Sequence, residues 1–387
     1  MNLPIYLDNQ ATTPVDPRVL NAMLPYFSEV FGNSGSVINR HGQRAREAVE
    51  YARAQIAKAA GAEAGEVILT SGATESINMV IQGLVRGKTW RDLHIVTCVT
   101  EHSAVLGACA EAEARGARVV RLPVNPDGIL DLGHLEAAVK LSPTLVSLMH
   151  ANNEIGVCHP VKEIARICRD AGVLLHIDAA QSYGKLPLQM DAWGIDLLSI
   201  SGHKIYAPKG VGALFVRRQL PPIRLRPLTF GGGQERGFRA GTLNVPGIVA
   251  LGEAARICME EMASEPERIG LLRDTLLGKI TAGVDGVTVN GPMEFRLPGN
   301  LNLSFEGIAP QSLLPALQDK ISVSSGSACT SGSTKPSHVL AALGVSDELA
   351  MASLRFGIGR FNTAAEIDFA AEAVIEAVLQ LRQELHQ

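Results

Sequence analysis

Lys204 closes an apolar run whose ending suits covalent chemistry. Asp196-Leu197-Leu198-Ser199-Ile200-Ser201-Gly202-His203-Lys204 reads as a buried strand running into a small, hydroxyl-bearing turn. A lysine stripped of water there has a lowered pKa, and its neutral amine attacks carbonyls. A solvated lysine at a strand end is the other reading of so short a motif. Cys329 is the second reactive candidate. Its surroundings, Ser325-Gly326-Ser327-Ala328-Cys329-Thr330-Ser331-Gly332-Ser333, are small and polar, which suits a reactive thiol better than a packed one. Cys98, Cys109, Cys158, Cys168 and Cys258 lie among apolar neighbours, as small hydrophobes do. No two cysteines form a C-x-x-C pair, so neither a zinc ribbon nor a thioredoxin-like redox pair is expected, and no metal site is predicted.

Other residues complete a set that would serve a pyridine cofactor bound covalently to Lys204. The ring nitrogen of such a cofactor needs a buried carboxylate to stay protonated and draw in electrons. Asp178, ending the run Leu174-Leu175-His176-Ile177-Asp178, fits, and Gln181 three residues on offers a donor to the phenolic oxygen. His102 fits as a flat stacking partner. Thr70-Ser71-Gly72-Ala73-Thr74-Glu75-Ser76 is a strand end running into a helix, where backbone N–H groups and the helix dipole make an anion site. Gly72, Ala73 and Thr74, with Ser201 and His203, would take a phosphate. Arg355 is a bidentate cation for a substrate α-carboxylate. Each has a plainer reading: a helix N-cap at Ser71 or Thr74, a loop histidine, a strand-end aspartate, an arginine in a salt bridge.

The elements that must position these groups follow from the pattern between residues 94 and 216. Strands are predicted at 94–97, 119–124, 145–149, 174–178, 197–200 and 211–216, with helices near 104–115, 132–140 and 161–171, after an earlier strand at 67–69. The alternation predicts an α/β fold, a mostly parallel sheet covered by helices on both faces. Ligands bind such sheets beyond the carboxyl ends of the strands. Thr74, His102, Asn153 with Glu154, Asp178 with Gln181, and Ser201 to Lys204 all follow a predicted strand and would converge there. A helix is also predicted through Ala45, Val49, Ala52, Ile56 and Ala59, ending at Gly61, and residues 1–15 read as turn-rich. Residues 224–243, with Gly231-Gly232-Gly233, Arg236 and Arg239, read either as a surface loop or as a second set of anion donors. Glu265-Pro266-Glu267 marks a boundary. Residues 16–263 are expected to form a large cofactor-binding domain, and 1–15 with 264–387 a smaller α+β domain carrying the Cys329 loop. Thr363-Ala364-Ala365-Glu366 is a capping box opening the last helix.

Composition narrows the class. The 387 residues are 46% hydrophobic and 19% charged, enough for a large core, and the 4% aromatic content makes that core aliphatic. A net charge of -4 without any basic run argues against nucleic acid. No apolar run is long enough to span a bilayer, and Met1-Asn2-Leu3-Pro4 opens no secretory signal, so no membrane partner and a cytoplasmic location are expected.

Taken jointly, these stretches closely resemble the cysteine desulfurases of group I, the NifS/IscS type, within the class V aminotransferase group of fold type I pyridoxal-phosphate enzymes. The matching stretches include Tyr6-Leu7-Asp8-Asn9, Thr70 to Glu75, Glu101-His102, Asn152-Asn153-Glu154-Ile155-Gly156 and His176 to Gln181. They continue through Ser201 to Lys204, Gly231 to Glu235, Arg239-Ala240-Gly241-Thr242, Ser325 to Cys329 and Leu354-Arg355-Phe356. The resemblance implies a seven-stranded, mostly parallel sheet in the large domain and pyridoxal 5'-phosphate held by Lys204. Asp178, Gln181 and His102 would contact the ring, and Gly72, Ala73, Thr74, Ser201 and His203 the phosphate. Asn153 would contact cofactor and substrate, Arg355 the substrate carboxylate. Lys204, His102 and Cys329 would be catalytic. The implied reaction takes L-cysteine to L-alanine and leaves the sulfur as a persulfide on Cys329. A sulfur-acceptor protein in iron–sulfur or other thio-cofactor assembly would collect it, with Cys329 meeting a cluster at most transiently. A homodimer is implied, Thr242 completing the neighbour's phosphate site. Selenocysteine lyase or another β-elimination activity is the enzymatic alternative, and a catalytically silent binding platform the non-enzymatic one. Ser34 follows Asn33 where members often carry proline. The chain ends soon after its last helix, where housekeeping members often have a tail that docks the iron–sulfur scaffold, so a dedicated acceptor is also expected.

Overall fold

Uninterrupted apolar runs build the central sheet. The computed structural model describes residues 3–85, 89–325 and 336–384. Its strands are β1 (Ile5–Tyr6), β2 (Val67–Thr70), β3 (His94–Cys98), β4 (Arg118–Leu122), β5 (Leu145–Met149), β6 (Leu174–Asp178), β7 (Leu197–Ser201), β8 (Gly212–Val216), β9 (Val287–Val289), β10 (Asn300–Phe305), β11 (Ile321–Ser322) and β12 (Ser353–Gly357). Seven of them form one sheet in the order β2-β8-β7-β6-β5-β3-β4. The pairings from β7 through β4 are parallel, and β8 runs against both of its neighbours. Helices cover both faces, so β5, β7 and β8 are buried along their whole length. The polar residues inside these runs have partners. His176 on β6 spans from the Ser147 hydroxyl to that of Ser199, both at 2.8 Å, and burial pushes its pKa down to about 3, so it stays neutral.

The helix Arg40–Ala59 forms as its spacing predicts, with Val49, Ala52 and Ile56 buried and the Asn39 side chain accepting from the Gly42 N–H. It lies against the helix Val245–Glu261 so closely that a Cβ on Gly252 would stand 2.6 Å from Ala52. Two short helices, Pro17–Met23 and Pro25–Ser28, occupy a stretch without a readable helical period. Each begins on proline, which gives up no hydrogen bond at a first turn.

A second hydrophobic core forms beside the sheet. Leu276 and Ile280 of the helix Glu265–Gly283, Leu301 and Leu303 of β10, and Leu354 and Phe356 of β12 pack with Val374 and Val378 of the helix Ala364–Glu384. The capping box at Thr363 is present, Glu366 accepting from the Thr363 N–H and Thr363 Oγ1 from the Glu366 N–H. Ile5 and Leu7 belong to this core, and β1 pairs in parallel with β11. The first residues are thus a strand as well as turns.

The basic glycine-rich loop is tied down by charge. Arg53 makes two 2.8 Å hydrogen bonds to the Glu235 carboxylate, which also accepts from the Leu69 N–H, and both side chains are buried. Arg236 donates to the Val67 carbonyl and Arg239 to Glu75. Arg236 and Arg239 hold the loop to the protein, so of the two readings of this stretch these guanidiniums do not stand as free anion donors. Replacing Glu235 with alanine leaves the buried Arg53 guanidinium with only the longer contact to the exposed Glu50 (3.3 Å) and the Val67 carbonyl. Denaturant unfolding should show a loss of about 3–5 kcal/mol; a loss under about 1 kcal/mol would mean that water reaches Arg53 and the pair is not buried in solution.

Candidate active site

The carboxyl edge of the sheet opens into a cleft of about 1140 Å³, counting the solvent at its mouth. Gly72, Ala73, Thr74, His102, Asn153, Asp178, Gln181, Ser201, His203 and Lys204 all line it. Parallel strands end at one edge, so residues far apart in the chain meet there once the sheet closes.

The anion end is built from backbone. The helix Ala73–Gly83 starts after Gly72, and no side chain caps it, which disposes of an N-cap at Ser71 or Thr74. Gly72 has φ of +151°, and a Cβ on Gly212 of β8 would stand 2.6 Å from its Cα. Only glycines allow this close approach. The Ser71 N–H donates instead to Glu75, 2.6 Å away. Ser201 Oγ lies beside this start, 3.6 Å from where a Cβ on Gly72 would stand, and His203 lines the same cleft. Burial, then the charge of Lys204, pushes the His203 pKa down to about 4, so its ring is neutral and its Nδ1 meets Thr12 Oγ1 at 3.1 Å.

The cleft also carries an acid. Asp178 is buried and accepts from the Ala180 N–H at 2.9 Å. Burial raises its pKa; the Ala180 bond and the nearby His102 and Lys204 charges work the other way. Burial likewise lowers the pKa of His102. His102 Nδ1 accepts from the Ala104 N–H, capping the helix Ser103–Ala114, which fixes the ring and leaves Nε2 as the protonated nitrogen of the neutral form. Lys204 Nζ donates to the carbonyls of Gln10 (2.5 Å) and Ala11 (2.8 Å). Gln181 Nε2 donates to the same Gln10 carbonyl, and its buried Oε1 has no hydrogen-bond partner among the described residues.

Two expected site residues lie elsewhere. Arg355 is buried behind the cleft wall, in the salt-bridge arrangement that was its plainer reading: Nη2 donates to Asp8 Oδ1 (2.7 Å) and Nη1 to the Asn153 carbonyl (3.0 Å). Its buried Nε has no hydrogen-bond partner among the described residues. Thr242 lines a separate groove with Asn33, Ser34, Arg46 and Arg236. Cys329 lies outside the described residues. The chain on either side of it is anchored near the cleft: Ser324 donates to Asp8 Oδ2, Ser337 to Glu154 Oε2, and His338 Nε2 meets the Glu101 carbonyl. Burial lifts the Glu154 pKa to about 7, with the Ser337 hydroxyl and the Arg355 charge opposing. Sequence reasoning missed the roles of Gln10 and Ala11. Their stretch is a recognisable motif, but a carbonyl that receives Lys204 carries no side-chain signal.

The sequence pattern of the aminotransferase class-V family matches residues 5–369. This chain belongs to that family. Among its relatives, "Cysteine desulfurase IscS" of Anaeromyxobacter sp. (strain Fw109-5) is 52% identical over 383 residues, 99% of this chain and 94% of that one. The protein of the same name from Rickettsia bellii (strain OSU 85-389) is 51% identical, over 98% of this chain and 92% of its own. A solved NifS-like protein superposes with a TM-score of 0.89 at 35% identity, covering 98% of this chain and all of that one. DndA from Streptomyces lividans gives 0.76 at 42% identity, over 90% and 97%. The class-V family works with pyridoxal phosphate. That cofactor supplies a carbonyl for a lysine amine and a cationic ring that draws electrons from the substrate carbon. The cleft fits it. The uncapped helix start suits a phosphate, the buried Asp178 a ring cation, and Gln181 Oε1, without a partner among the described residues, an incoming donor.

Proposed function

We propose that this chain is a pyridoxal-phosphate-dependent cysteine desulfurase that converts L-cysteine to L-alanine and passes the sulfur to Cys329. One observation carries the reading: an amine, a buried carboxylate, a fixed neutral imidazole and an anion cradle, drawn from four separate stretches, line one cleft. Full-length relatives about half identical to this chain bear that enzyme's name.

Each residue has a task that its surroundings support. Gly72, Ala73 and Thr74, with Ser201 and His203, hold the phosphate. Asp178 keeps the ring nitrogen protonated, Gln181 meets the ring oxygen, and His102 lies along the ring and moves protons at Nε2. Lys204 carries the cofactor and takes the substrate Cα proton. Asn153 meets the substrate carboxylate from the cleft wall, and Arg355 joins it by exchanging Asp8 for that carboxylate. Cys329, as thiolate, attacks the substrate sulfur; the Cβ–S bond breaks, its electron pair stays with carbon, and protonation there yields alanine. The sulfur remains as a persulfide on Cys329, for a protein acceptor in iron–sulfur or other thio-cofactor assembly. Two copies of the chain form the working unit, Thr242 reaching the partner's phosphate site from its own separate groove. Residues 16–263 form the cofactor-binding domain, and 1–15 with 264–387 the smaller one. The enzyme works in the cytoplasm; no helix among the described residues is long and apolar enough to cross a membrane.

The direct test is optical and chemical. The purified protein should be yellow, change colour on addition of L-cysteine, and release alanine and, with a thiol reductant, sulfide in equal amounts. A protein that stays colourless when given pyridoxal phosphate would sink the assignment. Turnover of selenocysteine alone would favour the lyase.

A further inference from the structure

Two residues beyond Lys204, the backbone does something costly. Lys204 ends the short turn Gly202–Lys204, and Tyr206 has φ of +67°. A side chain with a Cβ occupies that left-handed region only when its surroundings hold it there, and such residues cluster where strain serves a site.

Tyr206 is held on every side. Its N–H donates to Thr13 Oγ1 (2.8 Å), and its carbonyl accepts from the Asp16 N–H (3.0 Å). Its hydroxyl accepts from the backbone N–H of Arg360 (2.6 Å). The Arg360 guanidinium lies 4.3 Å from the centre of the Tyr206 ring, a cation–π distance. That guanidinium is itself immobilised, on Asp16 (2.9 Å), Glu261 (2.9 Å) and Glu265 (2.7 Å). Gly359 permits the approach, since a Cβ there would stand 2.7 Å from the Tyr206 hydroxyl. Arg360 comes three residues after β12, the strand that carries Arg355 and its contacts with Asp8 and the Asn153 carbonyl. One short run therefore reaches the backbone of Asn153, a cleft-lining residue, through Arg355, and Tyr206, just past the lysine turn, through Arg360.

We propose that Arg360 and Tyr206 are positioning residues for Lys204: the clamp between them keeps the left-handed turn that aims the amine, and links the placement of β12 to it. This rests on the reading that Lys204 carries the cofactor. A purely structural role would tie the second core to the sheet and leave the amine's chemistry alone. The two roles part in measurements on the cofactor-loaded protein.

Tyr206→Phe removes only the acceptor for the Arg360 N–H and keeps the ring. Arg360→Lys keeps the charge and loses the planar, multidentate grip. For each, the share of cofactor fixed to Lys204 by borohydride is read by peptide mass, and the visible band is titrated against pH without substrate. In both variants the trapped share should fall and the pH midpoint of the band should shift. The kcat should drop about tenfold, with KM for L-cysteine within about twofold, because a misaimed group costs rate more than binding. Trapping and titration like the unmodified protein's in both variants would overturn the clamp, even if thermal stability falls. Should Arg360→Lys fail to fold, Tyr206→Phe decides alone. An unmodified protein that binds no cofactor would sink the reading of Lys204 and the clamp with it, whereas one that binds it normally while the variants are unchanged sinks the clamp only.

Discussion

Lys204→Ala should lower the rate of alanine formation from L-cysteine by about a thousandfold or more, the scale of loss when a covalent nucleophile is removed. Among the described residues the cleft holds one other lysine amine. It belongs to Lys209, which follows the turn by five residues and is not the one held on the Gln10 and Ala11 carbonyls. The variant should still take up pyridoxal phosphate, because the uncapped helix start, Ser201, His203 and Asp178 are untouched. Borohydride should no longer fix that cofactor to the chain. The fold should survive. The Gln10 carbonyl keeps its bond from Gln181, and only the Ala11 carbonyl loses its donor. The measurements are alanine release, the visible spectrum and peptide mass after reduction. Turnover within tenfold of the unmodified protein would show that the proton and the carbonyl chemistry lie elsewhere.

Cys329→Ser should separate the two halves of the reaction. Addition of L-cysteine should still change the visible spectrum, since every residue expected to touch the cofactor remains. Sulfide release and labelling of the chain with sulfur from L-cysteine should fall about a hundredfold or more, because a serine hydroxyl is not ionised near neutral pH and does not attack sulfur. The other described cysteines cannot replace it. Cys98, Cys109, Cys168 and Cys258 are buried, and burial raises each thiol's pKa to about 11 or 12, so none forms thiolate near neutral pH. Cys158 is half-buried, with its pKa also up near 12. Sulfur transfer kept at the full rate in this variant would sink the persulfide step.

Much of the cleft is legible in the chain because of how parallel strands work. A run such as Leu174 to Asp178 is apolar enough to be buried on both faces, and helices between such runs force them parallel. Their carboxyl ends then fall at one edge whatever the loops do, so Thr74, His102, Asn153, Asp178 and Lys204 could be placed together before any distance was known. The helix Arg40–Ala59 and the capping box at Thr363 are legible for a similar reason: each depends on spacing within one stretch. The helices at 17–28 escaped because four to seven residues hold too few turns for a period.

Contacts between distant stretches needed the tertiary structure. Arg355 could face a substrate or an acid, and only the pairing of β12 against the N-terminal segment, through the Asp8–Gly357 bridge, put Asp8 in its reach. Thr242 matches a phosphate-site motif, yet its loop is drawn into a different groove by the buried pair Arg53 and Glu235. Lys204 shows the division within a single residue. Its place at the end of an apolar strand follows from sequence, since hydrophobic burial depends on residue type alone. The carbonyls that receive its amine, and the left-handed Tyr206 that Arg360 holds beside it, come from segments as much as 194 residues away. Backbone carbonyls look alike at every position, so only the folded chain decides which of them a lysine meets.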